Sequence, residues 1–198
     1  MNRYKQNVIG SAFSHKPVVG LDRDGTIIED LGKYLSWPSQ VKMIDGSIEA
    51  IRTLRSLNYR VIILTNQAGI SKGITTQQQV ENVNAHMLQL FGQGGIQSID
   101  GLYYSTTNLK EDEFAKPNVG MFKRAQAEIP GINWSSGWYV GDKITDLKAA
   151  NKIGAIPVLV RTGHGKETEE KLDTFANRDL KKKTLVFDNL YQFVLSIV

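Results

Sequence analysis

Apolar positions along this chain recur with two periods. Short β-branched runs bounded by turn residues predict strands at Pro17 to Asp22, Arg60 to Thr65, Gly101 to Ser105, Gly137 to Asp142, Ile156 to Arg161 and Thr184 to Phe187. Helical spacing between them predicts helices near Ser47 to Leu57, Thr76 to Phe91, Gly120 to Glu128, Thr145 to Ile153 and Asn189 to Ile197. Thr76, with Gln79 three residues on, has the pattern of a capping box, in which each side chain bonds the other's backbone N–H and fixes a helix start. Strands alternating with helices make a parallel sheet covered on both faces, so the expected fold class is α/β, a three-layer Rossmann-like arrangement. No repeat, low-complexity tract or linker interrupts the pattern. A length of 198 residues suits a single domain, with residues 1–16 as an N-terminal extension.

The strand ends bring chemistry together. Asp22 ends the first strand, Thr65 the second and Asp142 the fourth, and in open parallel sheets the ligand crevice lies outside the carboxyl ends of the strands. All three therefore belong to one expected mouth.

Four pieces of sequence surround it. Val18 to Leu21 runs into Asp22 and Asp24, two carboxylates separated by Arg23, then Gly25 and Thr26. Buried carboxylates need a partner, and Mg2+ is a natural one, because it prefers oxygen ligands and completes its shell with water and substrate phosphate. Val61 to Leu64 delivers Thr65, Asn66 and Gln67, a hydroxyl and two amides able to donate to phosphate oxygens. Lys116, between Ala115 and Pro117, offers a fixed positive charge to a carboxylate and a phosphate at once. Asp142 and Asp146, flanking Lys143, close the set: Asp142 is a candidate metal ligand, and Asp146 can accept from Lys116 or from metal-bound water, or can serve only to favour a helix dipole.

Composition excludes several other chemistries. The chain has no cysteine, which removes disulfides, thiolate zinc sites and a cysteine nucleophile. No apolar run reaches the length of a membrane span, and Val8-Ile9 is too short for a signal-peptide core, so a cytoplasmic protein without membrane partners is expected. Net charge is +4, part of it in Lys181-Lys182-Lys183, read as a solvated turn before a strand because no aromatic residues interleave. His15, His86 and His164 form no ligand cluster in sequence, and Tyr103-Tyr104 and Trp138-Tyr139 read as strand packing.

In this order, from about Val18 to Gly165, these pieces resemble the haloacid dehalogenase (HAD) superfamily of phosphohydrolases. Within it the chain is most similar to the heptose bisphosphate and histidinol phosphatases, through Asp22 to Thr26, Thr65-Asn66-Gln67, Gly141-Asp142-Lys143 with Asp146, and Val160-Arg161-Thr162-Gly163. The resemblance implies the HAD fold with a minimal cap, formed by a flap from Ile27 to Val41 with Asp30, Gly32 and Tyr34 near the substrate. It implies a Mg2+-dependent phosphomonoesterase acting through an aspartyl phosphate on Asp22, with Asp24 as general acid and base. Thr65 and Lys116 would bind the transferring phosphoryl group, and Mg2+ would be held by the Asp22 carboxylate, the Asp24 carbonyl and the Asp142 carboxylate. Asp146 would support them, and Gly25, Asn66, Gln67 and Lys143 would lie beside the substrate, a phosphorylated sugar such as heptose 1,7-bisphosphate. Heptose bisphosphate phosphatases usually have a zinc loop of cysteines and a histidine, which residues 106–115 lack, so no zinc is expected; they also usually have arginine where this chain has Ala115.

Other readings use the same parts. A histidinol phosphatase or a polynucleotide 3′-phosphatase shares several motifs, although nucleic acid is the less expected partner. A phospho-receiver signalling domain would pair its metal-binding acids directly on the first strand and end its third strand in the phosphorylated aspartate. Here Arg23 separates the acids and the third strand ends in Tyr103-Tyr104-Ser105.

Overall fold

The computed structural model describes residues 16–198; the N-terminal extension up to His15, including the Val8-Ile9 segment, lies outside the described residues. Six strands, β1 (Val18–Leu21), β2 (Arg60–Asn66), β3 (Gly101–Ser105), β4 (Trp138–Gly141), β5 (Ile156–Val160) and β6 (Leu185–Phe187), form one parallel sheet in the order β3-β2-β1-β4-β5-β6. Seven α-helices connect or follow them: α1 (Ser47–Ser56), α2 (Gln77–Gln93), α3 (Gly120–Glu128), α4 (Ile144–Ile153), α5 (Gly165–Leu172), α6 (Arg178–Lys183) and α7 (Leu190–Ile197).

Alternation along each strand sorts side chains into two cores. Val19 and Leu21, Val61 and Ile63, Val140, and Val158 and Val160 face one layer with Ile51 and Leu54 of α1, Val83 and Met87 of α2 and Phe193 of α7. Val18, Ile62 and Leu64, and Tyr139 face the opposite layer with Phe122 and Ala125 of α3 and Ala149 and Ala150 of α4. On that same side of β5, Leu159 meets Leu147, Leu172 of α5 and Leu180 of α6. Both faces of the central strands are covered, which is why they read as continuous apolar runs. Gly20 belongs to this packing: a Cβ there would lie 2.6 Å from the Tyr139 ring and 3.0 Å from the Trp134 ring.

The chain builds outward from β1 to β3, then returns to add β4 on the other side of β1. Side-by-side strands whose connections leave in opposite directions open a crevice at their carboxyl ends. Asp22 and Asp142 follow β1 and β4, the two strands at this switch point. Between β1 and α1 the chain makes a strap in place of an independent lid: Glu29 N–H donates to Lys42 O and Ile44 N–H to Ile27 O, closing the intervening loop over the mouth.

All six expected strands and all five expected helices are present, and the Thr76/Gln79 capping box forms as the spacing predicts. Two helices were not anticipated. α5 is mostly charged, with no apolar stripe of period 3.6 to announce it, and α6 ends in Lys181, Lys182 and Lys183. Those lysines are the last turn of a helix, where positive charge favours the exposed carbonyls, and not a turn before a strand.

Candidate active site

Lys116 stands at the centre of the floor, buried, with its Nζ donating to Asp22 Oδ1 at 2.8 Å, Leu64 O at 2.9 Å and the Tyr139 hydroxyl at 2.8 Å. Those three bonds use every proton of the ammonium. Asp146 Oδ1 also lies 2.7 Å from Nζ, so the ammonium sits between two carboxylates. Burial alone would lower the Lys116 pKa, but the Asp146 and Asp22 carboxylates outweigh it and raise it. Lys116 therefore stays charged. Tyr139 O–H in turn donates to Leu64 O at 2.6 Å, and burial, reinforced by the surrounding aspartates, keeps the phenol protonated.

Local backbone structure aims these groups. Asn66 clamps the Lys116 backbone in both directions, donating to its carbonyl at 3.1 Å and accepting from its N–H at 3.0 Å. Asp22 N–H donates to Val140 O at 2.8 Å, continuing the β1–β4 ladder to the strand end. Asp146 Oδ2 accepts from Lys143 N–H at 2.9 Å, capping α4. The helix-capping and charge-pairing readings of Asp146 are thus both realised, one on each oxygen.

Asp142 is fully buried. Its Oδ2 accepts from His164 N–H at 2.8 Å, and its Oδ1 has no partner. Burial, against the pull of Lys143 and with the push of Asp22 and Asp146, raises its pKa to about 8. Burial likewise raises Asp146, with Lys116 opposing. Oxygens of Asp22, Asp142 and Asp146 lie within 4.8 Å of one another. Three crowded carboxylates, with Asp142 Oδ1 left without a partner, form an incomplete donor set, and its hard oxygen chemistry suits a small divalent cation.

Glycine is required around this cluster. Gly25 has φ +84°, and a Cβ there would sit 2.2 Å from Asp142 Oδ2; at Gly163, with φ +54°, a Cβ would sit 2.3 Å from the same oxygen and 2.6 Å from Gly25 Cα. Thr162 Oγ1 donates to Gly25 O at 2.6 Å, stitching the loop after β5 to the loop after β1.

Beside the floor opens a cavity of about 300 Å³. Asp24 projects into it, held by Arg23 through Nη2 at 3.1 and 3.0 Å and by Gln67 Nε2 at 2.9 Å; Gln67 Nε2 also donates to Thr65 Oγ1 at 2.9 Å. Thr65 Oγ1 accepts that bond and keeps its own proton for another acceptor. Asp30, Gly32 and Tyr34 of the strap, with Asn66, Gln67 and Lys143, also line the cavity. Asp30 Oδ2 accepts from Lys143 Nζ at 2.9 Å, its Oδ1 accepts from Gly32 N–H at 2.9 Å, and the net effect, against burial, is a lowered pKa.

Asp22, Lys116, Asp142 and Asp146 thus form the floor, and Asp24, Asp30, Gly32, Tyr34, Asn66, Gln67 and Lys143 line the cavity, while Thr65 is buried behind Gln67 and Gly25 against Asp142, neither lining the cavity. Three further groups, Arg23, Tyr139 and His164, have site roles that the sequence does not announce. Arg23, read only as a spacer, is fully buried and also donates to Asn84 Oδ1 at 2.6 Å. Tyr139 was read as packing, although a buried phenol needs a partner for its hydroxyl. His164 has no signal of its own, because its role arises from a loop that meets the first one only in three dimensions; Thr162 stands in the Val160 to Gly163 run that carries the family resemblance, and its bond to Gly25 O gives that run a structural task.

Residues 113–193 match the HAD-hydrolase-like family model. Over 194 residues the chain is 34% identical to the D-glycero-D-manno-heptose-1,7-bisphosphate 7-phosphatase of Chlorobaculum tepidum, covering 91% of this chain and 94% of that one. The chain belongs to the HAD-like phosphatases. A second relative, the D-glycero-beta-D-manno-heptose-1,7-bisphosphate 7-phosphatase of Pseudomonas putida, is 37% identical over 172 residues, 86% of this chain and 93% of its own. Among solved structures, this phosphatase superposes on the D,D-heptose 1,7-bisphosphate phosphatase of Burkholderia thailandensis with TM-score 0.68 and 28% identity, covering 92% and 98% of the two chains. The B. bronchiseptica enzyme complexed with magnesium and phosphate shares the fold at TM-score 0.82 and 24% identity, over 91% and 97%. Among the described residues no helix is long and apolar enough to cross a membrane.

Proposed function

We propose that this phosphatase removes the 7-phosphate of heptose 1,7-bisphosphate by transferring it first to Asp22 and then to water. The observation that supports the reading best is the buried cluster of Asp22, Asp142 and Asp146 around Lys116, next to a cavity into which Asp24 projects. Relatives at 34% and 37% identity over nearly their whole length carry that substrate in their names.

The Asp22 and Asp142 carboxylates and the Asp24 carbonyl would hold Mg2+, for which the partnerless Asp142 Oδ1 is a fitting donor. Bound there, the ion supplies charge that screens an anionic nucleophile from an anionic phosphate. Asp22, held by Lys116, forms a bond to phosphorus as the bond to the sugar oxygen breaks, and Asp24 gives its proton to that oxygen. Arg23 and Gln67 orient the Asp24 carboxyl for the transfer. Water then attacks the aspartyl phosphate while Asp24 takes back a proton, releasing inorganic phosphate and restoring the Asp22 carboxylate. Lys116 and the free proton of Thr65 meet the charge that develops on the phosphoryl oxygens; Lys116 must turn donors from Leu64 O or Tyr139 to do so.

The test is phosphate release from heptose, hexose, histidinol and 3′-nucleotide phosphates, with and without Mg2+, by wild type and Asp22→Asn. Magnesium-dependent release from the heptose bisphosphate, reduced at least about a thousandfold by the substitution, is expected. Preference for a 3′-phosphorylated oligonucleotide over every sugar phosphate would overturn the substrate assignment, and turnover untouched by Asp22→Asn would overturn the mechanism.

A further inference from the structure

We propose that Asn84, a buried amide in the middle of α2, is a positioning residue for the reaction: it fixes Arg23, and through Arg23 the Asp24 carboxyl, in the orientation from which Asp24 gives its proton to the departing sugar oxygen. The inference rests on the function proposed above and extends the machinery to a helix that lines no part of the cavity.

The pattern of α2 singles Asn84 out. The buried positions of this helix are Val80, Val83, Asn84, Met87 and Phe91, which share one face at helical spacing. Four of them are apolar, so by spacing alone an apolar side chain belongs at position 84 as well. An amide placed there loses its hydration on folding and must find a partner inside the protein. That partner is Arg23, whose Nη1 donates to Asn84 Oδ1 at 2.6 Å; among the described residues it is the one side-chain hydrogen bond that Asn84 makes.

The task of this bond follows from what Arg23 does with its other nitrogens. Nε donates to Asp24 Oδ2 at 3.2 Å, and Nη2 donates to Asp24 Oδ1 and Oδ2 at 3.1 and 3.0 Å. Arg23 and Asp24 are neighbours in the chain, so their ion pair travels with the loop after β1 and sets no direction relative to the rest of the site. Nη1 is the guanidinium nitrogen left over, and Asn84 ties it to a separate element. Because the guanidinium is a rigid plane, holding one edge of it orients the carboxyl bonded along the other. The base is firm: α2 starts in the Thr76/Gln79 capping box and is anchored in the core by Val83, Met87 and Phe91. The Arg23 main chain is held as well, its carbonyl accepting from Ile27 N–H at 2.9 Å and Ile28 N–H at 3.1 Å. With Gln67 Nε2 donating to Asp24 Oδ2 at 2.9 Å from just beyond β2, the carboxyl is gripped from two elements outside its own loop.

The test separates orientation of the proton donor from support of the fold by changing the leaving group. A sugar alkoxide needs a proton as it departs, whereas p-nitrophenolate leaves without one. In Asn84→Leu, which completes the apolar stripe and removes the acceptor, kcat/KM for heptose 1,7-bisphosphate should fall by about ten- to a hundredfold, through kcat and not KM. For p-nitrophenyl phosphate the same variant should lose less than about twofold. Asn84→Asp, which keeps an oxygen in the same place, should recover most of the loss on the sugar phosphate. Where Asn84→Leu does not fold, Asn84→Ala carries the same prediction. Equal losses on the two substrates overturn the proposal, as does no loss on the sugar phosphate or an Asn84→Asp variant as impaired as Asn84→Leu. Wild type that releases no phosphate from heptose 1,7-bisphosphate overturns the function beneath it, and that result is seen before any variant is made.

Discussion

The floor and the mouth of this site handle charge in opposite ways. At the floor, Lys116, Asp22, Asp142 and Asp146 are buried, and each ammonium proton has a defined acceptor. At the mouth, Lys33 and Lys72 are exposed and between them make one side-chain hydrogen bond, to Tyr34. Buried charges survive only when paired, so the floor tolerates little change, whereas solvated charges can be altered with small consequence for the fold. The floor is thereby held by paired, buried charge, while the mouth is left where side chains can vary.

The sharpest way to break the floor is Lys116→Met. Removing one partner of a buried charge set leaves two carboxylates facing each other without a cation, so a loss of about 3–5 kcal/mol is expected, measured by urea denaturation of the metal-free protein. Gly163→Ala comes next. A Cβ close to Asp142 Oδ2 and Gly25 Cα, on a residue with positive φ, should cost about 1–3 kcal/mol and lower phosphate release, both checked on the purified variant. Lys33→Ala should leave the urea midpoint where it was, and a clear downward shift would mean that the mouth is as constrained as the floor.

The same contrast governs what could be read from the sequence. Strands were legible because both faces are buried and β-branched runs result, and the floor was legible because Asp22, Thr65 and Asp142 each end such a run. Lys116 was legible only in company, since a lysine before a proline says little alone. α5 and α6 escaped because few of their residues reach the core, leaving Leu172 and Leu180 as their main anchors. His164 escaped for another reason: it acts through its backbone N–H across the chain to Asp142, and a residue type does not advertise such a role.

The contact between Gly163 and Gly25 also bears on when the enzyme becomes competent during synthesis. The loop bearing the proposed nucleophile leaves the ribosome early, but the backbone N–H that takes Asp142 Oδ2 and the hydroxyl that takes Gly25 O belong to the turn after β5, where Thr162 stands 137 residues beyond Gly25. A nascent chain halted after α4 would hold Asp22, Lys116 and Asp142 without the piece that locks them together. The two loops are thus tied together only once the turn after β5 has joined the sheet.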